Sequence, residues 1–199
     1  LVQRLKEETG LPVKAENDAN LAALGEFRMG SGKGCRSMML VTLGTGVGCG
    51  IIVDGRILAG AHFAAGEIGH IHIEDNEETP CNCGNFGCLE QYASATGVVR
   101  LANRILRETT EDSVLRQGEI SAKAVFDAVK DGDAVAVKIA EAFGEYLGKG
   151  LAAIAGVVNP EAFVIGGGVS KAGEILFTFI EENYRKYVFH GSRDAKFKL

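Results

Sequence analysis

Between His70 and Glu90 the chain reads HIHIEDNEETPCNCGNFGCLE, which sets Cys81, Cys83 and Cys88 close together and His70 shortly upstream. Three thiols and an imidazole suit a closed, four-coordinate structural zinc site. Gly84 and Gly87 fall between the cysteines, where the backbone must bend to bring sulfurs together, and Pro80 stiffens the approach. The C-x-C-x4-C spacing is not that of the common fingers and ribbons, so the zinc reading rests on the whole cluster. A C-x-C pair alone would read as incidental or redox-active, and a disulfide would leave one thiol over. Glu67 and Glu90 flank the cluster. With one ring nitrogen of His70 on a metal, the other N–H gains a definite direction, and the flanking carboxylates could accept hydrogen bonds from a polyol. The plainer reading of each glutamate is a solvated surface charge.

Three further stretches could do chemistry. LGTGVGCG places Thr45, Gly46 and Gly48 between two apolar runs, and backbone N–H groups without side chains in the way can form an anion-binding nest. The run is neither a Walker loop nor G-x-G-x-x-G. VIGGGVSKAGE runs an apolar segment into Gly166, Gly167 and Gly168 and then into a helix start, a second geometry suited to close ligand approach. Each could be no more than a tight turn, but two at strand ends together favour a nucleotide. In ENDAN, Asp18 is either a helix cap or a general base exposed at the end of an element. A carboxylate is a weak base, yet a loose phosphoryl-transfer transition state asks only for late acceptance of a hydroxyl proton.

The elements that must position these groups follow from apolar periodicity and its punctuation. Residues 1–9 read as a helix stopped by Gly10, and 11–15 as a short strand. Asn17 or Asp18 caps a helix with Leu21, Leu24 and Phe27 on one face. Gly30, Gly32 and Gly34 form a loop, and residues 38–43 a buried strand. A turn over 44–50, a strand over 51–53, the hairpin signal Asp54-Gly55 and a strand over 56–58 follow. Residues 89–108 read as one helix, Ser121 caps another to Asp131, and Asp133 caps a long one through Gly156. Gly144 and Gly148 share a face of that helix and cost helix propensity, which predicts close packing against a neighbour. Asn159-Pro160 ends it, 162–165 is a buried strand, and 172–190 the last helix. The order predicts an α/β fold, a mixed sheet with helices packed on it.

Composition narrows the function classes. Apolar residues make up 46% and charged ones 24% of 199, enough for a sizeable core. A net charge of −5 with no basic cluster argues against a nucleic-acid groove in this segment. No apolar run is long enough to cross a membrane, and the nearest, 151–168, is broken by Asn159, Pro160 and Glu161. No signal peptide is read ahead of the domain. With Cys35 and Cys49 outside the cluster, a cytoplasmic location is expected. The chain opens on Leu1 inside a helical pattern and ends on KFKL, which reads as the start of a strand, so a piece of a longer protein is expected.

ENDANLAALGE, LVTLGTGVG, AAGEIGH, CNCGNFGCLE and NPEAFVIGGGVS together resemble the ROK family of bacterial sugar kinases and repressors, with the greatest likeness to its ATP-dependent glucokinase branch. The resemblance spans about Glu16 to Ser170 and implies an actin-like, ribonuclease-H-like ATPase fold with the active site between two domains. It implies that residues 1–17 end the small N-terminal domain and that 18–199 are an incomplete large domain. Asp18 would be the catalytic base for the sugar 6-hydroxyl, and Asn17, Glu67, His70 and Glu90 would hold the other hydroxyls. Thr45, Gly46 and Gly48 would face the phosphates of ATP and its Mg2+, and Gly166, Gly167 and Gly168 the adenosine. His70, Cys81, Cys83 and Cys88 would bind Zn2+ as an architectural ion. A hexose and ATP are the implied partners, with a homo-oligomer (dimer) expected. Cys49 departs from the pattern where the family usually has glycine. The family's N-terminal phosphate loop is absent, so this segment alone is expected not to phosphorylate a sugar. A sugar-sensing repressor, or a kinase for N-acetylglucosamine or N-acetylmannosamine, is the alternative.

Overall fold

The structure is a computed structural model describing residues 1–199. Five strands form one sheet in the order β3-β2-β1-β4-β5: β1 Met38–Leu43, β2 Val47–Val53, β3 Arg56–Ile57, β4 Ala162–Gly166 and β5 Lys196–Lys198. The hairpin partners β1–β2 and β2–β3 are antiparallel, while β1–β4 and β4–β5 are parallel. The sheet is therefore mixed and flanked by helices, as predicted. Asp54 (φ 49°) and Gly55 (φ 75°) both take left-handed conformations, the backbone of a tight hairpin whose twist matches its strands.

The two faces are covered unequally. Helix α2 (Asp18–Met29) lies alone on one, where Ala23 packs with Met38, Leu40, Ile52 and Val164. The other face carries the main core, with Met39, Val41, Leu43, Val47, Cys49, Phe163 and Ile165 packed under the later helices. These are α3 (Glu90–Ala93), α4 (Ala95–Glu108), α5 (Ala122–Lys130), α6 (Ala134–Val158) and α7 (Ile175–Tyr187). Cys49 thus points into the core and away from the Gly48 side of the strand. The short helix α1 (Val2–Thr9) buries no residue and stops at Gly10 in the left-handed conformation. No helix is long and apolar enough to cross a membrane.

Caps fall where the side chains place them. Asn17, Ser121 and Asp133 each accept a hydrogen bond from the first turn of the following helix. The glycine face of α6 meets α7: a methyl on Gly144 would lie 2.5 Å from the Phe179 carbonyl oxygen, and one on Gly148 would lie 2.7 Å from Asn183 Cβ. Asn159 ends α6 in the left-handed region (φ 48°), which asparagine tolerates better than most residues.

Four expectations need correction. Residues 11–15 form no strand; they are mostly exposed, and no neighbouring strand takes up their N–H and C=O groups. The turn before β2 is only Gly44–Gly46, and Val47–Gly50 pairs with β1 despite two glycines. The 89–108 segment is two helices, broken at Ser94 (ψ 173°), whose hydroxyl accepts from Gly97 N–H in place of continuing the ladder. Residues 169–172 make a 3-10 turn closed by Gly173 (φ 88°), so the last helix begins at Ile175 and ends at Tyr187.

Helix α2 sits on β2 at backbone distance. A methyl on Gly50 would lie 2.5 Å from both the Ala19 carbonyl oxygen and Ala23 Cβ. Gly50→Ala is therefore expected to push α2 off the sheet and destabilise the protein by about 1–3 kcal/mol, as overpacking does; a urea midpoint unchanged from wild type would show that the helix has room to move.

Candidate active site

Two chain segments bring the chemistry to the end of β1 and β2 where the turn joins them. The first is the start of α2. Asn17 Oδ1 accepts from Ala19 N–H (2.8 Å) and Asn20 N–H (3.2 Å), which fixes the helix start and sets Asp18 in its first turn. There the partial positive charge of the helix end favours a carboxylate. Asp18 is exposed, and its Oδ1 accepts from Ala19 N–H at 2.8 Å. Asn17 has its oxygen committed to the cap and only its amide NH2 free.

The second is the turn between β1 and β2. Gly44 N–H donates to the Gly46 carbonyl (3.0 Å), while the Gly44 carbonyl accepts from Ala95 N–H (2.8 Å) and the Thr45 carbonyl from the Thr96 hydroxyl (2.7 Å). The N–H groups of Thr45 and Gly46 have no acceptor within the protein. A methyl on Gly46 would lie 2.6 Å from Glu90 Oε2, so a side chain there would displace that carboxylate.

These pieces share one wall. Asp18, Ala19, Thr42, Gly46, Gly48, Glu90 and Gly167 line an open cleft of about 530 Å³. Gly167 reaches it from the end of β4 with φ 84°, and a methyl there would meet the Leu43 backbone at 2.6 Å. Gly168 lines a separate, smaller cavity of about 130 Å³ with Ala122, Phe126, Val169 and Ala172. Gly166 is the last residue of β4, paired with Thr42. Thr45 lies beside the cleft, in a polar pocket of about 130 Å³ with Cys81, Glu90, Thr96 and Arg100.

Glu67 and His70 belong to a turn that follows the edge of β2. His70 Nδ1 is 3.8 Å from Glu90 Oε1 and 3.7 Å from Cys81 Sγ, and Nε2 is 3.9 Å from Glu67 Oε2. Nδ1 therefore faces the cysteines and Nε2 faces Glu67. Beneath them, burial and the Glu67 charge push the Cys49 thiol up to about 12, so it stays neutral.

One ligand atom from each of His70, Cys81, Cys83 and Cys88 lies within 4.8 Å of the others, and Cys83 Sγ is 3.6 Å from Cys88 Sγ. Four ligands at zinc bond lengths of about 2.3 Å would stand about 3.8 Å apart, so the set fits a tetrahedral metal, and its sulfur-rich donors fit zinc. Burial pushes the Cys81 thiol up to about 12 and raises Cys88, while the Asn85 backbone lowers Cys83. A cation is what would let all three be thiolates together.

The loop into this cluster is held by residues that sequence reading passed over. His72 bonds Phe86 O through Nδ1 (2.9 Å) and Asp75 through Nε2 (2.8 Å). The Glu77 side chain, 7% exposed, accepts from Arg100, Tyr92 and, at 2.8 Å, Thr79 N–H. The Tyr92 ring stacks on Tyr146 with centroids 4.1 Å apart, and Tyr146 OH donates to Glu74 at 2.9 Å. No local pattern marks these pairs, since Glu77 and Arg100 lie on separate elements.

The model of the ROK family matches residues 1–199. The chain belongs to the ROK family. It is 46% identical to a glucokinase of Halalkalibacterium halodurans over 100% of this chain and 62% of that protein. A ROK family glucokinase from Streptomyces griseus in complex with glucose and AMPPNP superposes with a TM-score of 0.87 at 37% identity, covering 100% of this chain and 66% of that one. The DNA-binding transcriptional dual regulator NagC of Escherichia coli is 34% identical over 91% of this chain and 44% of its own length. The ROK segment described here spans about 62% of the length of the curated glucokinase it matches. Its mixed sheet and flanking helices are those of the actin-like ROK glucokinase fold.

Burial alone would raise the Glu77 carboxyl, but the bonds from Arg100, Tyr92 and Thr79 outweigh it and hold it at about 2, below its ordinary 4.5. The stabilisation is complete above pH 4.5 and is lost as pH falls toward 2. Glu77→Gln should cost on the order of 3 kcal/mol at pH 7 and less than half of that at pH 3. Denaturant unfolding of both proteins at the two pH values checks this, and an equal gap at both would contradict the ion pair's role.

Proposed function

We propose that this chain forms the large domain of a hexose kinase that moves the γ-phosphoryl of MgATP to the 6-hydroxyl of glucose. The observation that carries this reading is that Asp18, Gly46, Gly48, Glu90 and Gly167 line a single cleft. A base, a sugar-facing carboxylate and two glycine turns from distant parts of the sequence meet there. Relatives named glucokinase, one of them in complex with glucose and AMPPNP, support the same reading. The activity is assigned to the full-length protein. In it, residues 1–17 close the small domain and 18–199 belong to the large one, with the sugar between them.

Each residue has work that its chemistry suits. Asp18 accepts the 6-hydroxyl proton late, because the bond from the γ-phosphorus to the departing ADP oxygen breaks ahead of attack by the sugar oxygen. Glu67 and Glu90 accept hydrogen bonds from sugar hydroxyls, His70 donates through Nε2–H, and Asn17 donates through its free amide. The unpaired N–H groups of Thr45 and Gly46, with the bare backbone at Gly48, would receive the phosphates of the nucleotide, whose charge Mg2+ would help neutralise. Gly166 and Gly167 lead from the phosphates to Gly168, where the mostly apolar cavity with Phe126 and Val169 suits a base. Zinc held by His70, Cys81, Cys83 and Cys88 would be architectural, since four protein ligands would leave it no open position. Held so, His70 would keep one tautomer, and the loop that presents Glu90 would keep its path. A cytoplasmic homo-oligomer fits the family.

A second reading, a sugar-sensing repressor, draws on the likeness to NagC. The residues preceding this segment in the full-length protein separate the two, because a repressor needs a DNA-binding element and a kinase a phosphate loop. N-acetylglucosamine and N-acetylmannosamine are the competing sugars, and a phosphorylation assay across a hexose panel ranks them against glucose.

Full-length Asp18→Asn is expected to bind sugar normally while losing about 10²–10⁴ in turnover, the worth of a general base. Turnover near wild type would refute the assignment. Metal analysis should find about one zinc per chain, and Cys83→Ser should lower both zinc content and sugar affinity; a variant keeping both would show that the cluster does not shape the sugar site.

A further inference from the structure

The break between α3 and α4 touches both halves of the cleft. Ser94, fully buried, donates its hydroxyl to the Glu90 carbonyl at 2.6 Å, which fixes the first residue of α3, the one bearing the sugar-side carboxylate. On the other side, Ala95 N–H and the Thr96 hydroxyl hold the Gly44 and Thr45 carbonyls of the phosphate turn. The two hydroxyls have two protons. With one on the Glu90 carbonyl and one on the Thr45 carbonyl, both carbonyls are held, and the Ser94 and Thr96 oxygens, 2.9 Å apart, can share only one of those same protons.

Peptide geometry gives this its consequence. In a trans peptide the C=O and the N–H of the next residue point in opposite directions. A Gly44 carbonyl held toward α4 therefore turns Thr45 N–H away from α4, and a Thr45 carbonyl held there does the same for Gly46 N–H. Those are the two amides of the turn that have no acceptor within the protein. Left unheld, the Thr45–Gly46 peptide could rotate and present its carbonyl oxygen, which repels a phosphate. Gly46 tolerates either orientation because it lacks a side chain.

We infer that Thr96 is a positioning residue that aims the Gly46 amide at the nucleotide phosphates by holding the Thr45 carbonyl, within the same corner that seats Glu90. The inference rests on the kinase reading. Thr96 is exposed and near the start of α4, so Thr96→Val keeps shape and fold while deleting the hydroxyl, and Thr96→Ser restores it.

The test uses the full-length protein and compares wild type, Thr96→Val and Thr96→Ser for turnover, for binding of a non-hydrolysable ATP analogue, and for glucose binding without nucleotide. Thr96→Val should weaken analogue binding and lower kcat by about tenfold, the worth of one hydrogen bond, and leave glucose affinity unchanged. Thr96→Ser should recover both. Wild-type behaviour of the valine variant, failure of serine to rescue, or an equal loss of glucose affinity would overturn the inference. A wild-type protein that phosphorylates no hexose would instead overturn the kinase reading, and the analogue-binding ratio among the three proteins would still decide the role of Thr96. If wild type binds no analogue either, both fall.

Discussion

Strand β2 is approached at backbone distance from two directions. On its outer face, Ala19 and Ala23 of α2 press on Gly50, and Ala19 Cβ would lie 3.6 Å from a methyl on Gly48. Along its edge, Gly66 and Gly69 stand so close that a methyl on either would collide with the Cys49 or Val47 carbonyl. The first approach places Asp18 and the second places Glu67 and His70, both measured from the same few peptide units. The spacing between the start of α2 and the turn bearing Glu67 and His70 is thus set by main-chain contact. Groups placed this way are preorganised, which is what the phosphoryl transfer proposed above asks of its site.

The remaining wall is irregular chain, and it is held by a different kind of force. Residues 71–89 have only isolated bridges, His72 with Cys88 and Pro80 with Phe86, and no ladder. Their order comes from the Cys3His cluster, from His72 bonded at both nitrogens, and from Glu77 closed under Arg100 and Tyr92. A buried carboxylate is costly unless its oxygens are satisfied, and here three donors satisfy them. The loop is therefore tied to α3, α4 and α6 at several points independent of the metal. Zinc would add rigidity where the loop meets His70 and Glu90, the part nearest the cleft.

Much of this was legible in the chain itself. Asn17 or Asp18, Ser121 and Asp133 read as caps because their chemistry is local, with Asn17 the one that caps α2, and Asp54-Gly55 read as a hairpin for the same reason. The small residues on α6 announced close packing correctly, and α7 is what they pack against. The cysteine spacing gave the cluster, and the glycine turns gave two walls of the cleft. Misreadings came where a distant partner decides the outcome. Gly48 and Gly50 looked like turn residues, since glycine is poor in strands, but the Thr42 hydroxyl on β1 crowds the first and the helix lying on β2 crowds the second. Residues 11–15 have strand-like composition and no strand beside them. Ser94 looked like an ordinary helix residue until its neighbour's N–H was seen bonded to Gly44. Glu77 and Arg100, and Thr45 and Thr96, meet only in three dimensions, so no spacing rule could have paired them.

The proposed function requires that Asp18 and the polyol-binding groups be placed from the backbone of one strand around a single sugar. The most direct measurement is a crystal structure of the full-length protein with glucose and a non-hydrolysable ATP analogue. It should show one sugar hydroxyl about 3 Å from the Asp18 carboxylate, with other hydroxyls on Glu67, His70 and Glu90. Glucose bound away from Asp18, or Asp18 turned out of the cleft with both ligands in place, would contradict the account.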